Sequence, residues 1–170
     1  PKTSRHAGSR PPVGARAMVA TLAYDCVLEC LGQAAPQGGC ASSSGGTTMP
    51  FVWTADAIPG REARILVDNS LTGGTGGRGD ADGMDAVDNS VTNAMNYPVE
   101  MLEQEYAVIV ERHELRADSG GPGRFRGGQG LRRILRFLVA GSLALRGHRH
   151  QYPPPGLDGG EPGALTRFML

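Results

Sequence analysis

Four acidic residues, Asp80, Asp82, Asp85 and Asp88, stand close together in the chain. Hard cations take several carboxylate oxygens at once, so such a run could hold a divalent ion. Read as an EF-hand loop starting at Asp80, however, it puts Met84 and Val91 where oxygen ligands belong, and the Gly-Gly-x-Gly-x-Asp pattern of a calcium-binding β-roll does not repeat. Solvated turn acids are the plainer reading. Arg124 and Arg126 flank Phe125 in a glycine-rich stretch. A forked guanidinium there could grip a carboxylate or a phosphate, with an inter-subunit ion pair as the plainer alternative. Cys26 and Cys30 lie one helical turn apart with Cys40 beyond. Two thiolates could begin a zinc site, but on an apolar stripe cysteine acts as a small hydrophobe. No Cys-His-acid order suggests a nucleophile. His148 and His150, either side of Arg149, would share one side of a strand, half a metal site without an evident third ligand; surface histidines are the plainer reading. The loop Gly73-Gly-Thr-Gly-Gly-Arg-Gly79 could cradle a phosphate with backbone N–H groups. It lacks the Gly-Lys-Ser/Thr ending of a P-loop, and glycine here more simply allows positive φ and close backbone packing. No metal site is assigned on this chain.

These residues must be positioned by a modest core. The chain has 170 residues, enough for one ordinary domain. Lys plus Arg and Asp plus Glu balance at 17 each, so the chain has no electrostatic footprint for nucleic acid. With one Trp, four Tyr and four Phe it shows no stacking platform either. No apolar run reaches the roughly 18 residues of a membrane span, and the N-terminus lacks the apolar core of a secretory signal. Three cysteines, an odd number, fit a reducing compartment and a cytoplasmic protein. The chain does not start with Met, which implies processing, trimming or a fragment.

The expected fold class is α+β: an N-terminal amphipathic helix and glycine-rich loops followed by a β-rich C-terminal half. Residues 1–12 read as a disordered leader and 13–170 as one unit. Over 13–31, Met18, Leu22, Cys26 and Cys30, with Val19, Ala23, Val27 and Leu31, form an apolar stripe that should dock inward, and Gly32 can end the helix. A long loop is expected over 33–50, a short strand over 64–67 and a second glycine-rich loop over 72–83. Asn96 can cap a short helix with Pro98 in its first turn. From Val108 the period changes to two, and two further strands, 131–139 and 142–146, lead to a Pro/Gly-rich tail.

Several of these segments carry a resemblance. Gly73-Gly-Thr-Gly-Gly, Asp82-Gly83, Thr92-Asn93, Asn96, Pro98-Val-Glu-Met-Leu-Glu, Val110-Glu-Arg-His-Glu-Leu-Arg, Ser119-Gly-Gly-Pro-Gly-Arg-Phe-Arg-Gly-Gly-Gln-Gly-Leu and Pro155-Gly-Leu-Asp-Gly-Gly-Glu-Pro-Gly together resemble the C-terminal region of the hydantoinase B/oxoprolinase family. The resemblance implies a fragment or split subunit of an ATP-dependent amidohydrolase that opens cyclic amides, 5-oxoproline or hydantoin-type lactams. Its implied partners are an A-type ATP-binding subunit and the N-terminal part of a B-type subunit. ATP and a divalent metal are expected in the assembled enzyme. The family's Gly-Gly-Thr-His-x-x-Asp and His-His-x-Asp segments are absent here, so the chain's own active site would be incomplete. Many members read His-Thr-His where this chain has Asp88, Asn89 and Ser90, which removes any imidazole role at those positions. The residues taken as catalytic candidates are Asp82, Thr92, Asn93, Arg124 and Arg126. A non-catalytic assembly module and a subunit of a related ATP-dependent ketone carboxylase are the alternatives.

Overall fold

The computed structural model describes residues 16–35, 38–45, 51–57, 59–60, 62–68 and 73–170. The leader expected over 1–12 and its boundary with the following unit lie outside the described residues. The first element is helix α1, Arg16–Ala34. It runs past Gly32, which does not end it. A Cβ at Gly32 would press on the Leu157 side chain and the Gly39 backbone, so glycine lets the helix sit directly on a neighbouring segment.

Helix α1 corrects the expectation about its docking face. The stripe expected to be buried points outward: Val19 is 71% exposed, Val27 57% and Leu31 58%, and Cys26 and Cys30 are exposed as well. The buried side carries Thr21 at 0% and Asp25 at 4%. Polar partners decide the rotation. The Ser43 hydroxyl donates to Asp25 at 2.8 and 3.0 Å, Arg149 Nη2 donates to the same carboxylate at 3.2 Å, and Thr21 Oγ1 donates to Asn89 Oδ1 at 3.2 Å. Buried polar groups with such partners are stable inside, and turning the helix over would leave Arg149 without its counter-charge.

Among the described residues five strands form two antiparallel sheets. Strand β1 (Phe51–Ala55) is central between β2 (Arg64–Asp68) and β5 (Gly141–Leu145). Strands β3 (Val108–Leu115) and β4 (Leu131–Phe137) pair with each other, with a bulge between Val110 and Arg112. Strand β1, which follows a glycine-rich stretch of sequence, has no counterpart among the expected elements and supplies the middle of the first sheet. The short helix α2 is Val99–Glu105. Pro98, expected in its first turn, stands just before it as the N-cap residue, and Asn96 does not cap it. The Asn96 carbonyl accepts from Arg133 Nη2 at 2.8 Å instead, joining this turn to β4.

One face of α2 and of the strands meets in a small core to which, among the described residues, α1 contributes no side chain. Trp53, Ala55, Leu66, Leu102 and Val108 are buried, with Leu135, Phe137, Leu143 and Leu145 packed against them. In register, Trp53 lies between Leu66 on β2 and Leu143 on β5. Its ring meets Phe137 of the other sheet, centroids 4.8 Å apart and tilted by 41°, so this aromatic pair joins the two sheets.

The glycine-rich segments are ladders rather than open loops. Ala41 N donates to Gly77 O at 2.9 Å and Ser44 N to Gly74 O at 3.1 Å, which pairs 39–45 with 73–79. On the other side, Gly128 N donates to Thr75 O at 2.9 Å, and Gly83 N to Arg126 O at 2.8 Å. The chains approach so closely that a Cβ at Gly76 would overlap the Ala41 carbonyl, and one at Gly128 the Met84 carbonyl. Neither glycine has a positive φ. The expectation of close backbone packing holds at these two positions; that of positive φ does not.

Candidate functional site

The glycine ladder forms one wall of an open cavity of about 1300 Å³. The inward side chains of β4 and β5 form a second wall, including Leu135, Phe137, Leu143 and Leu145. The tail over 154–170 forms a third. It is sewn down by Glu161 N to Pro122 O at 2.9 Å, Ala164 N to Ser119 O at 3.0 Å and Thr166 N to Arg149 O at 2.9 Å. The polar lining is cationic. Seven arginines face the cavity (Arg78, Arg116, Arg124, Arg132, Arg133, Arg149 and Arg167) against two acids, Asp158 and Glu161. Most are already engaged; for instance, Arg116 donates to Leu165 O at 2.7 Å and Arg132 to Glu114 at 3.2 Å. Arg124 is exposed, stands 5.5 Å from the Phe125 ring centroid, and makes no ion pair among the described residues.

The structure brings Asp82 and Arg126 together. Asp82 Oδ1 accepts the Arg126 backbone N–H at 2.9 Å, and Arg126 donates from both Nη atoms to Asp85 at 3.1 and 3.4 Å. The Gln129 N–H also reaches Asp85 at 2.7 Å. The Arg126 guanidinium, and then that N–H, hold the Asp85 carboxyl below its ordinary value, while Asp85 raises Arg126 further. The ion pairs that Arg126 makes, with Asp85 at 3.1 Å and with Asp82 at 3.7 Å, are thus both within the chain. Thr92 and Asn93 sit elsewhere. Asp88 accepts from Asn89 N at 2.9 Å, Asn89 Nδ2 at 3.0 Å, Thr92 Oγ1 at 2.6 Å and Ala94 N at 2.6 Å. Asn93 takes the left-handed conformation, φ 45°. This turn is bound to α1 through Asn89 and Thr21. Of the five candidates, Arg124 lines the cavity and the other four do not.

A second polar cluster reaches the cavity, and little in the residue pattern announces it. Arg149 pairs with Asp25 at 3.2 Å and donates to Ser42 Oγ, with both charged side chains largely buried. Its Nε is buried with no hydrogen-bond partner among the described residues, and its backbone is at φ 61°. Burial raises the Asp25 pKa above its ordinary 3.8, an effect that Ser43 and Arg149 only partly offset. Burial, with Arg149 and His150 beside it, lowers His148 below 6.5. The two histidines do not share one side of a strand. They fall outside any strand, His148 half-buried and His150 exposed against the Phe168 ring at 4.8 Å. Asp25 is visible in the sequence only as a charge off the apolar stripe, and Arg149 only as the residue between two histidines. Among the described residues no three His, Cys, Asp or Glu side chains converge on a point that could hold a metal, so this donor set offers a divalent ion no seat. The N–H groups of Thr75, Arg78 and Gly79 in the glycine loop bond to neighbouring carbonyls, at 2.9–3.3 Å.

The fold is shared with part of a longer solved chain. It superposes on acetone carboxylase in its nucleotide-free structure with a TM-score of 0.60, covering 76% of this chain and 17% of that one at 21% identity. The chain belongs to the Hydantoinase B/oxoprolinase family, whose sequence model matches residues 1–170. It is 43% identical over 100 residues to the putative D-/L-hydantoinase B-type subunit of Pseudomonas sp. (strain NS671), covering 59% of this chain and 17% of that protein. It is 30% identical over 151 residues to a 5-oxoprolinase of Dictyostelium discoideum, covering 88% of this chain and 11% of that protein. The chain thus spans less than a fifth of the length of these relatives.

Proposed function

We propose that this chain is part of a B-type subunit of an ATP-dependent amidohydrolase that opens a cyclic amide, 5-oxoproline or a hydantoin-type lactam, together with an A-type ATP-binding subunit. The observation that carries the reading is the cavity with Arg124 unpaired on its glycine-rich wall. Opening a lactam turns a neutral amide into a carboxylate, and a guanidinium is suited to meet that developing charge. ATP supplies the driving force. Phosphorylating the carbonyl oxygen, with release of ADP, breaks the amide resonance; water adds to the carbon, the ring C–N bond breaks with the nitrogen taking a proton, and a second water hydrolyses the resulting acyl phosphate to a carboxylate and inorganic phosphate. Arg124 would contact the reacting molecule. Asp82 and Arg126 would position the turn that carries it, and Thr92 and Asn93 would hold the adjoining turn against α1. The cytoplasm is the proposed compartment.

The test is the Arg124→Ala variant in the assembled enzyme. Turnover should fall by roughly tenfold to a thousandfold, as when one charge-stabilising donor is removed, with the melting temperature unchanged. Unchanged turnover removes Arg124 from the site. Recovery of an A-type ATP-binding subunit from native cytosol with this chain tests the partner. The assembly-module reading is favoured by Asp88 and Asn89, whose side chains are bound within their own turn and, through Asn89, to Thr21 of α1. It prevails if no separate chain supplies the missing histidine segments.

A further inference from the structure

Between Val19 and Leu31, the solvent-facing half of α1 carries no charged side chain. It presents Val19, Ala23, Cys26, Val27, Cys30 and Leu31. The helix cannot roll to bury this face, because Asp25 and Thr21 on the opposite side are fixed to Ser43, Arg149 and Asn89. A helical surface that is apolar and rigidly displayed marks a contact with another polypeptide.

Three observations select the occupant. The face is about 20 Å long and half a helix wide, of order 300 Å². That is well short of the ~800 Å² per partner that holds a free-standing complex together, so two copies joined by this face alone would not persist. The longest segment of this chain outside the described residues, 1–15, does not suit it, carrying Lys2, Arg5 and Arg10 and, apart from alanine, Val13 as its one aliphatic side chain; the others are five residues or fewer. The relatives, finally, are several times longer, with this chain spanning 17% and 11% of two of them. We infer that the outward face of α1 is a docking surface for an apolar segment of the hydantoinase B-type polypeptide that lies outside these 170 residues. The inference rests on family membership and on the helix, not on the proposed reaction, and its readout is assembly rather than turnover.

Cys26 and Cys30 lie on the face itself and report on it directly. The experiment compares the chain alone with the chain co-purified with the remainder of the B-type polypeptide from the same genome. Maleimide modification of each cysteine is followed by peptide mass spectrometry. Both thiols should label readily in the free chain and at least about tenfold more slowly in the complex, as expected for groups taken out of solvent. Cys40, half-buried behind Gly76, is the internal reference. The double variant Val27→Glu and Leu31→Glu, on exposed positions, should weaken co-purification by at least about tenfold while leaving the circular dichroism of the chain unchanged. Undiminished labelling in the complex overturns the inference, as does failure of the two parts to co-purify. So does a dimer of this chain alone, detected by light scattering, that protects both thiols.

Discussion

At Arg149 a positive φ, a buried charge and a buried Nε without a hydrogen-bond partner among the described residues coincide. A non-glycine residue in that region is strained by roughly 1–3 kcal/mol and persists only where its surroundings over-determine it. Here Asp25 and Ser42 hold the side chain, and the Thr166 N–H holds the carbonyl. Its neighbour His148 is kept neutral by the same burial, and this has a pH consequence. A histidine whose folded pKa lies below 6.5 binds its proton more readily in the unfolded chain. Its contribution to stability is present above pH 6.5 and is lost as pH falls through the lower folded value. The melting temperature should therefore drop between about pH 7 and about pH 5. His148→Gln should flatten that decline, and an identical slope in the variant would show that other groups carry it. Asp25, whose pKa is raised, works in the opposite direction, since its protonation relieves a buried charge as pH falls toward 3.8. Arg124 is legible in the sequence as a candidate because a forked cation in a glycine-rich turn is visible in one line of text, and the fold sets it on the cavity wall. It misses Asp25 with Arg149 because 124 positions separate them and only the fold brings them together.

Among the elements, the glycine ladder sets the tolerance to change. Replacing Gly76 with Ala drives a methyl into the Ala41 carbonyl, backbone against backbone, with no side chain free to swing away. The cost should be about 3 kcal/mol, at the upper end of the range for overpacked interiors. Gly38→Ala, where nothing lies within 4 Å, should change stability by less than about 0.5 kcal/mol. Urea denaturation of both variants checks this, and equal midpoints would mean the ladder relaxes. The strands from Val108 onward and the strand near Arg64 are legible because alternation survives in the sequence. Strand β1 is not, since five residues after a glycine-rich run give no period. The direction in which α1 faces is illegible for a different reason. Hydrophobic periodicity finds a stripe, but it cannot tell whether the stripe meets this chain or another one.

For the whole molecule, the core of Trp53, Leu66, Leu102 and Val108 is small beside the cavity it supports, and the longest helix turns its apolar side away from it. Both features suit a piece of a larger body. The hydrolase and carboxylase readings diverge in what the assembled enzyme consumes. ATP turnover with a lactam should proceed without added bicarbonate; a strict bicarbonate requirement would favour the carboxylase. None of the described helices is long and apolar enough to cross a membrane. The glycine ladder also has a genetic side. Any one-base change in the first two positions of a glycine codon either introduces a residue with a Cβ or ends translation. Where two backbones touch, as at Gly76 and Gly128, almost no missense change is mild. In a population of variant genes these stretches would stand out as silent bands, mutated only at the third base of each codon.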